Sequence, residues 1–536
     1  MTAAADLLPP MKWNAWGDPA AATPLSDSIR RLLEQVIGLP EIAPGELESG
    51  QVVLRPCALP EPARAGLAKI VGSAYVRTSD SDRLLHAGGK STLDLLRRKG
   101  TGPQDAPDAI VLPGSDDEVS AILRYCSQEG IAVVPFGGGT SVVGGLDPAR
   151  GRFGAVIAVD LRRFDQLFSL DEVSGLADLG AGVTGPAAEK LLGERGFSLG
   201  HFPQSFEFAT IGGFAATRSS GQNSAGYGRF DDMVHGLRVI TPAGTLDIGR
   251  VSASAAGPDL RQLMLGSEGL FGIITRVCVR VHPIPAAVRH EAWSFPDFTT
   301  AANALRAVAQ THTGPTVIRL SDEVETGINL ATTESISDEK ITAGCLGITM
   351  FEGSEAHVAS RQAETSAVLS AHGGQSLGAG PAQAWERGRF HAPYLRDSLL
   401  AAGALCETLE TAADWSQIDA LKSAVTEALI GSLTESGTPA LVMCHVSHLY
   451  NTGASLYFTV VAGQRGNPIE QWQRAKKAAG DAIIAVGGTI THHHAVGTDH
   501  RPWMEDEVGD LGVRILRSVK ATLDPAGILN PGKLIP

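Results

Sequence analysis

The segment THHHAVGTDHRPW sets three histidines side by side, His492, His493 and His494, and two more, His445 and His448, lie in CHVSHLY. An imidazole titrates at about 6.5, so it gives or takes protons near neutrality, and its neutral form is a good metal ligand. Adjacent side chains do not share a helix face, and along a strand only the first and third do. The triplet therefore predicts a loop with its rings fanned around something. Two chemistries follow from the residue types alone: proton transfer, or a zinc or iron site drawn from five histidines in two segments.

The rest of the chain shows what must position such a loop. Its 536 residues, 43% hydrophobic and 19% charged, are ordinary usage for a large globular protein with room for two or more cores. A net charge of −14 with no clustered Lys and Arg argues against a nucleic-acid partner and leaves small molecules or protein. Six cysteines without a CxxC pair suit a reduced chain. The N-terminus MTAAADLLPPMKWNAWGDP lacks a leader pattern, and no run of about eighteen apolar residues occurs, so the expected location is cytoplasmic.

In PDAIVLPGSDDEVSAILRYCSQEGIAVVPFGGGTSVVGGL, Ala109–Leu112 reads as a strand and Ser115 with Glu118 as a capping box. Val119, Ile122, Leu123 and Cys126 then form the apolar face of a helix stopped by Gly130, and IAVVP is a second strand. LRVITPAGTLDIG predicts a hairpin, and LMLGSEGLFGIITRVCVRVHPIP a turn leading into a strong strand. After Pro283 and Pro285 the character changes: TVIRLSD, GCLGITMFEG, LVMCHVSHLY and ASLYFTVVAG read as strands separated by helices. An amphipathic helix around EVGDLGVRILRSVKATL precedes the ending DPAGILNPGKL.

Three glycine-rich stretches carry more chemistry. In PFGGGTS, residues 135–141, glycines let the backbone approach a ligand while successive N–H groups and the Thr140 and Ser141 hydroxyls point at one anion, as a pyrophosphate cradle requires. No G-x-G-x-x-G opens a helix, so it is not a Rossmann turn; AGGKST fails as a P-loop because Leu84 stands where the first glycine belongs. PQSFEFATIGGFAATRSSGQNSAGYGRFDD and GSEGLFGIITRV follow in order.

Together these stretches resemble the PCMH-type FAD-binding domain of the vanillyl-alcohol oxidase superfamily, in which FAD lies between two small α+β subdomains. The resemblance gives the FAD-binding role to Pro135, Phe136, Gly137, Gly138, Gly139, Thr140 and Ser141; to Pro203, Gln204, Ser205, Phe206, Glu207, Phe208 and Ala209; to Ala216, Thr217, Arg218 and Ser219; and to Gly266, Ser267, Glu268, Gly269, Leu270, Phe271 and Gly272. Several members tether the flavin through a histidine near the first glycine loop. Here Thr140 follows the glycines, so a noncovalent FAD is expected.

MKWNAWGDP, TVIRLSD, YLRDSLL, LETAADW, GASLYF and THHHAVG further resemble the alkyldihydroxyacetone-phosphate synthase family. The resemblance implies exchange of the acyl group of acyl-dihydroxyacetone phosphate for a long-chain alcohol, through a flavin–substrate adduct without net redox. It makes Tyr457 the base that removes a proton, with His493 accepting or sharing that proton, and His492 and His494 shaping the pocket or donating to the departing carboxylate. A phenol of pKa about 10 needs roughly 4 kcal/mol of such help at pH 7. Arg396 is assigned to the phosphate, with Arg319 and Thr408 as further substrate contacts.

The implied architecture is α+β: a mostly helical segment over residues 1–100, the FAD-binding domain over 101–285, an α+β cap over 286–490 and a C-terminal segment over 491–536. No metal is expected, because related hydroxy-acid dehydrogenases that hold one have EHG where HHA stands here. The ending DPAGILNPGKL is typical of those dehydrogenases, and His445 stands where animal synthases have an arginine, so a 2-hydroxy-acid or alcohol oxidase or dehydrogenase is the alternative. The expected partner is a small, phosphorylated, lipid-like substrate; peripheral membrane contact and a homodimer are left open.

Overall fold

The computed structural model describes residues 11–22, 24–39, 51–100, 102–311, 314–332 and 344–536. The start of the N-terminal segment, including part of the stretch read as leaderless, lies outside them.

Two small sheets build the half expected to bind FAD. The first runs in the order Val76–Arg77, Ala109–Val111, Ala155–Asp160, Ile131–Phe136, its last three strands parallel. These strands are short apolar runs because both faces are covered. The crossover helix Asp116–Glu129 buries Val119, Ile122, Leu123 and Cys126 and ends at left-handed Gly130. The Ser115 hydroxyl accepts from the Glu118 N–H, while the Glu118 carboxylate takes the Gly114 N–H at 2.6 Å, so the reciprocal half of the expected capping box moves one residue upstream. The second sheet is antiparallel, in the order Leu167–Asp171, Leu176–Gly180, Ile273–Arg280, Val234–Thr241, Gly244–Ile248; its last two strands are the expected hairpin. Both sheets share one core, from Val119 and Ile157 to Leu179 and Val277.

Two expected boundaries are corrected. Residues upstream of 101 divide between the halves: helix Glu61–Val71 puts Leu67 and Val71 into the shared core and Val76–Arg77 is an edge strand. Leu93, Leu95 and Leu96 instead enter the cap's core, and Ile37 packs with Cys406 and Val461 of the cap. The C-terminal segment also returns to the two small sheets, with the Val133 N–H donating to Ile528, the Asn530 N–H donating to Val133, and Ile528, Leu529 and Leu534 in their shared core.

The cap is a seven-stranded antiparallel sheet in the order Gln375–Gly378, Ala287–Phe295, Cys345–Gly353, Val317–Ser321, Ala440–Leu449, Gly453–Gly463, Ala404–Asp414. Strand alternation divides its side chains. Ile318, Leu320, Val442, Cys444, Val446, Leu456, Phe458 and Val460 share a core with helices Phe298–Thr311, Ile418–Glu435 and Pro468–Val486. Their odd-numbered neighbours face the half expected to bind FAD. The C-terminal helix Met504–Leu523 bends at Gly509, whose φ of 72° and ψ of 163° are not helical. Among the described residues no helix is long and apolar enough to cross a membrane.

Candidate functional site

A cavity of about 680 Å³ lies between the loop following Ile131–Phe136 and the exposed face of the cap sheet. The glycine loop packs so closely on residues 208–210 that nothing larger than hydrogen fits at Gly137 and Gly138. A Cβ on Gly138 would meet the Phe208 carbonyl oxygen at 1.9 Å, one on Gly137 the Thr210 hydroxyl at 2.5 Å, and Gly139 has φ +71°. The AGGKST segment props this loop from behind: the Lys90 N–H donates to the Ser141 carbonyl at 2.6 Å, and Lys90 Nζ is spent on the Lys12 and Trp13 carbonyls. Buried polar atoms without partners among the described residues, Gln204 Nε2, Ser220 Oγ and Gln222 Oε1, belong to residues lining the same cavity. Such a strip of backbone donors and open side-chain groups suits the extended, polar FAD.

Pro135 to Ser141, Pro203, Gln204, Ser205, Ala209, Ala216, Thr217, Ser219, Glu268, Gly269 and Gly272 all line the cavity. The remaining FAD-binding candidates do not. The Arg218 guanidinium turns away, donating to the Leu265 and Gln262 carbonyls and to Asp231. Phe206 stacks on Phe390, Phe208 meets Trp16 edge-on, Leu270 and Phe271 enter the shared core, and Ser267 Oγ donates to the Met264 carbonyl. Glu207 and Gly266 also lie outside the lining. Glu268 serves two ends: it lines the cavity and its carboxylate accepts the Val496 and Gly497 N–H groups, while burial pushes its pKa up to about 7.

The opposite wall is the cap sheet. Cys406 and Thr408, Leu441, Met443 and His445, Tyr457, Thr459 and Val461, and Val317 and Arg319 line it at every second residue of four neighbouring strands. Tyr457 sits opposite Glu410 on one side and His445 on the other. Its ring is nearly parallel to His445 at 4.8 Å and to His493 at 6.1 Å, and His494 is edge-on at 5.5 Å. Among the described residues the Tyr457 and His493 rings face each other without a hydrogen bond between them, and the Thr408 side chain is the neighbour that pulls most on the Tyr457 phenol. Burial pushes the Tyr457 phenol up to about 12, against the pull of Thr408 and Arg396.

Both arginines carry carboxylate partners. Arg396 donates from Nε and Nη2 to Asp397 and from Nη1 to the Lys90 carbonyl, which among the described residues leaves one N–H on each Nη for a ligand. Arg319 Nη2 reaches Glu325 at 2.6 Å and His445 Nδ1 at 2.9 Å.

A buried carboxylate organises the histidine triplet. Glu410 accepts the backbone N–H groups of His492 at 2.6 Å, His493 at 3.1 Å and His494 at 2.8 Å, together with the Thr491 hydroxyl at 2.6 Å. Burial opposes its charge, yet His493, His494 and His492 with the Thr491 hydroxyl hold it well below the usual carboxylate range. The loop thus wraps an anion with its backbone, and its rings fan outward. His493 and His494 line the cavity; His492 does not, because it pairs with the Tyr450 hydroxyl and with His493 Nδ1. His448, His492 and His493 hold ring nitrogens within 4.8 Å of one another, the arrangement behind the metal alternative, but both His492 nitrogens already have protein partners. Sequence reasoning missed Glu410: it lies in LETAADW, two residues from Thr408 on the same strand face, and only the placed strand shows what it does.

From this polar end the cavity runs into an apolar arm lined by Leu441, Met443, Val461, Leu399 and Leu395 and by Ile29, Leu33, Val36 and Ile37 of the helix Asp27–Ile37. No linear motif announces the arm, because its side chains come from four distant segments.

Comparison with known proteins agrees with this arrangement. Residues 107–248 match the family described as FAD binding domain, and residues 284–534 the family described as FAD linked oxidases, C-terminal domain. An alkyldihydroxyacetonephosphate synthase from Dictyostelium discoideum is 32% identical, over 99% of this chain and 94% of its own. A mitochondrial D-lactate dehydrogenase (cytochrome) from Arabidopsis thaliana is 29% identical over 80% of this chain and 74% of its own. A solved alkyldihydroxyacetonephosphate synthase structure superposes with a TM-score of 0.85 at 29% identity, covering 98% of this chain and 99% of that one. The chain is an FAD-dependent enzyme and belongs to the alkyldihydroxyacetonephosphate synthase family.

Proposed function

We propose that the enzyme exchanges the acyl group of acyl-dihydroxyacetone phosphate for a long-chain alcohol, with noncovalently held FAD. The observation that carries this reading is one continuous cavity with three chemically different ends: a glycine cradle, a buried proton-handling cluster with arginines, and an apolar arm. A phosphorylated glycerone bearing one long chain needs all three, whereas a small hydroxy acid has no use for the arm. The bound flavin would supply a reversible covalent partner for the substrate carbon without net electron transfer.

In this reading the two free Nη protons of Arg396 hold the phosphate. Tyr457, kept in place by Thr408 and between two parallel imidazoles, removes the proton beside the ketone. Neighbouring Arg396 favours its phenolate, which offsets part of the cost of burial. The alkyl chain lies along Leu441, Met443 and Val461 and shields these groups from water.

The test is anaerobic incubation of the holoenzyme with palmitoyl-dihydroxyacetone phosphate and hexadecanol. Ether product over many turnovers, with the flavin oxidised at the end, is the expected result. Product that stops after one equivalent unless a dye is supplied would sink the reading in favour of a dehydrogenase, the activity named for the D-lactate dehydrogenase relative.

A further inference from the structure

One group on the cavity wall has no task in that scheme. His445 lies opposite Tyr457 in the cap sheet, lines the cavity and is buried against Arg319 and Glu325. Its Nδ1 is 3.1 Å from a Glu325 carboxylate oxygen and 2.9 Å from Arg319 Nη2, while Glu325 and Arg319 are paired at 2.6 Å. Nδ1 carries at most one proton, so these two contacts exclude each other as hydrogen bonds. With Nδ1 protonated, it donates to Glu325 and Nε2 presents a lone pair. With Nδ1 bare, it accepts from Arg319 and Nε2 presents a proton. Both tautomers are therefore supported by the same surroundings, and Nε2 is the nitrogen left for a ligand; it makes no hydrogen bond among the described residues.

Position tells which ligand. Leu441, Met443 and His445 follow one another at every second residue of a single strand, all lining the cavity, and Leu441 and Met443 border the apolar arm. A long-chain alcohol laid along Leu441 and Met443 brings its terminal hydroxyl to His445. We propose that His445 is the general base for the incoming alcohol, held for that task by the positioning residues Glu325 and Arg319. This rests on the transferase reading and adds a second proton-handling group beside Tyr457.

The step balances without a co-reactant. The alcohol O–H bond breaks and its proton goes to Nε2, with Nδ1–H held by Glu325. The oxygen pair forms the new C–O bond to the glycerone carbon, which the acyl group has left as a carboxylate with its bonding pair. His445 then releases one proton to solvent, the net proton of the exchange.

Two partial reactions separate this from the first proton transfer. Deuterium exchange at the glycerone carbon in D2O reports Tyr457, and incorporation of hexadecanol reports His445. His445→Asn should lower alcohol incorporation about 100-fold more than it lowers deuterium exchange, the usual range for loss of a general base; Tyr457→Phe should abolish both. A fluorinated long-chain alcohol, already acidic, should recover most of the loss in His445→Asn. Equal falls in both reactions, or no recovery, would overturn the proposal.

Glu325→Gln supplies a second reading that a merely structural role would not move. His445 faces Arg319, Glu325, Tyr457 and His493, with His448 on its own strand; burial and Arg319 lower its pKa and Glu325 alone of these raises it. Since the base must be neutral, removing that anion should shift the acid limb of alcohol incorporation to lower pH while the plateau falls. An unmoved limb counts against the pair even if His445→Asn loses FAD and cannot be assayed. Failure of the transferase reading is distinguishable: wild-type enzyme would then form no ether product with any alcohol.

Discussion

Glu410 sits where four donors converge, and its neighbours explain why three adjacent histidines can be buried at all. Each ring of His492, His493 and His494 is costly to charge in this setting, and burial lowers all three pKa values. Their backbone N–H groups would also be orphaned in a buried loop, and one carboxylate satisfies all of them. Glu410→Gln keeps the shape but turns an amide N–H₂ toward those donors, so it should cost roughly 3 kcal/mol of unfolding free energy. Chemical denaturation of the holoenzyme measures this, and a loss under 1 kcal/mol would show that the loop holds itself. The loop conformation was legible from three adjacent identical side chains; its organiser was not, because a lone Glu in LETAADW looks like any surface acid until the strand is placed. The roles of the two arginines were legible only as charge. That each brings its own carboxylate, Glu325 and Asp397, depends on contacts that residue types do not reveal.

At the scale of elements, the site is a glycine loop facing a sheet whose side chains alternate. The strands of the cap were readable from TVIRLSD, LVMCHVSHLY and ASLYFTVVAG, but that Arg319, His445 and Tyr457 share one face is set by the register between strands. Their order in the sheet was not readable, since pairing across more than a hundred residues leaves no local signal. The two-residue strand Val76–Arg77 is likewise too short to carry a period. The glycine loop makes its own prediction. A methyl on Gly138 would collide with the Phe208 carbonyl, so Gly138→Ala must displace the loop or the Phe208 backbone, a strain of about 2 kcal/mol, or some thirtyfold in FAD affinity. Flavin titration of the apoprotein checks this, and affinity within threefold of wild type would mean that the cradle lies elsewhere. In wild type, acid precipitation should leave the yellow colour in the supernatant.

At the scale of the whole molecule, the site makes the fold sensitive to acid. His201, His445, His448, His492, His493, His494 and His500 all titrate below their ordinary value because burial disfavours the charged ring, to about 3 for His201 and His494 and about 4 for His500. In the unfolded chain these rings protonate at about 6.5. Below that pH the unfolded chain binds more protons than the folded one, so stability falls as pH falls. Six carboxyls act the other way, all raised chiefly by burial: Glu268 and Asp147, both to about 7, and Asp178, Glu189, Asp322 and Glu407; they hold protons in the folded chain that the unfolded chain has lost. The seven imidazoles outnumber these carboxyls, and further down Glu410, Asp160 and Glu325, all depressed, remove stability again as pH drops below their unfolded values. The urea midpoint of the holoenzyme should therefore fall steadily from pH 6.5 to 4.5, with loss of FAD coinciding with unfolding because the histidine loop, Glu268 and the glycine cradle share one cavity. A midpoint flat to pH 4.5 would mean that these histidines are charged or solvated in the folded protein, and the buried proton-handling cluster would have to be redrawn.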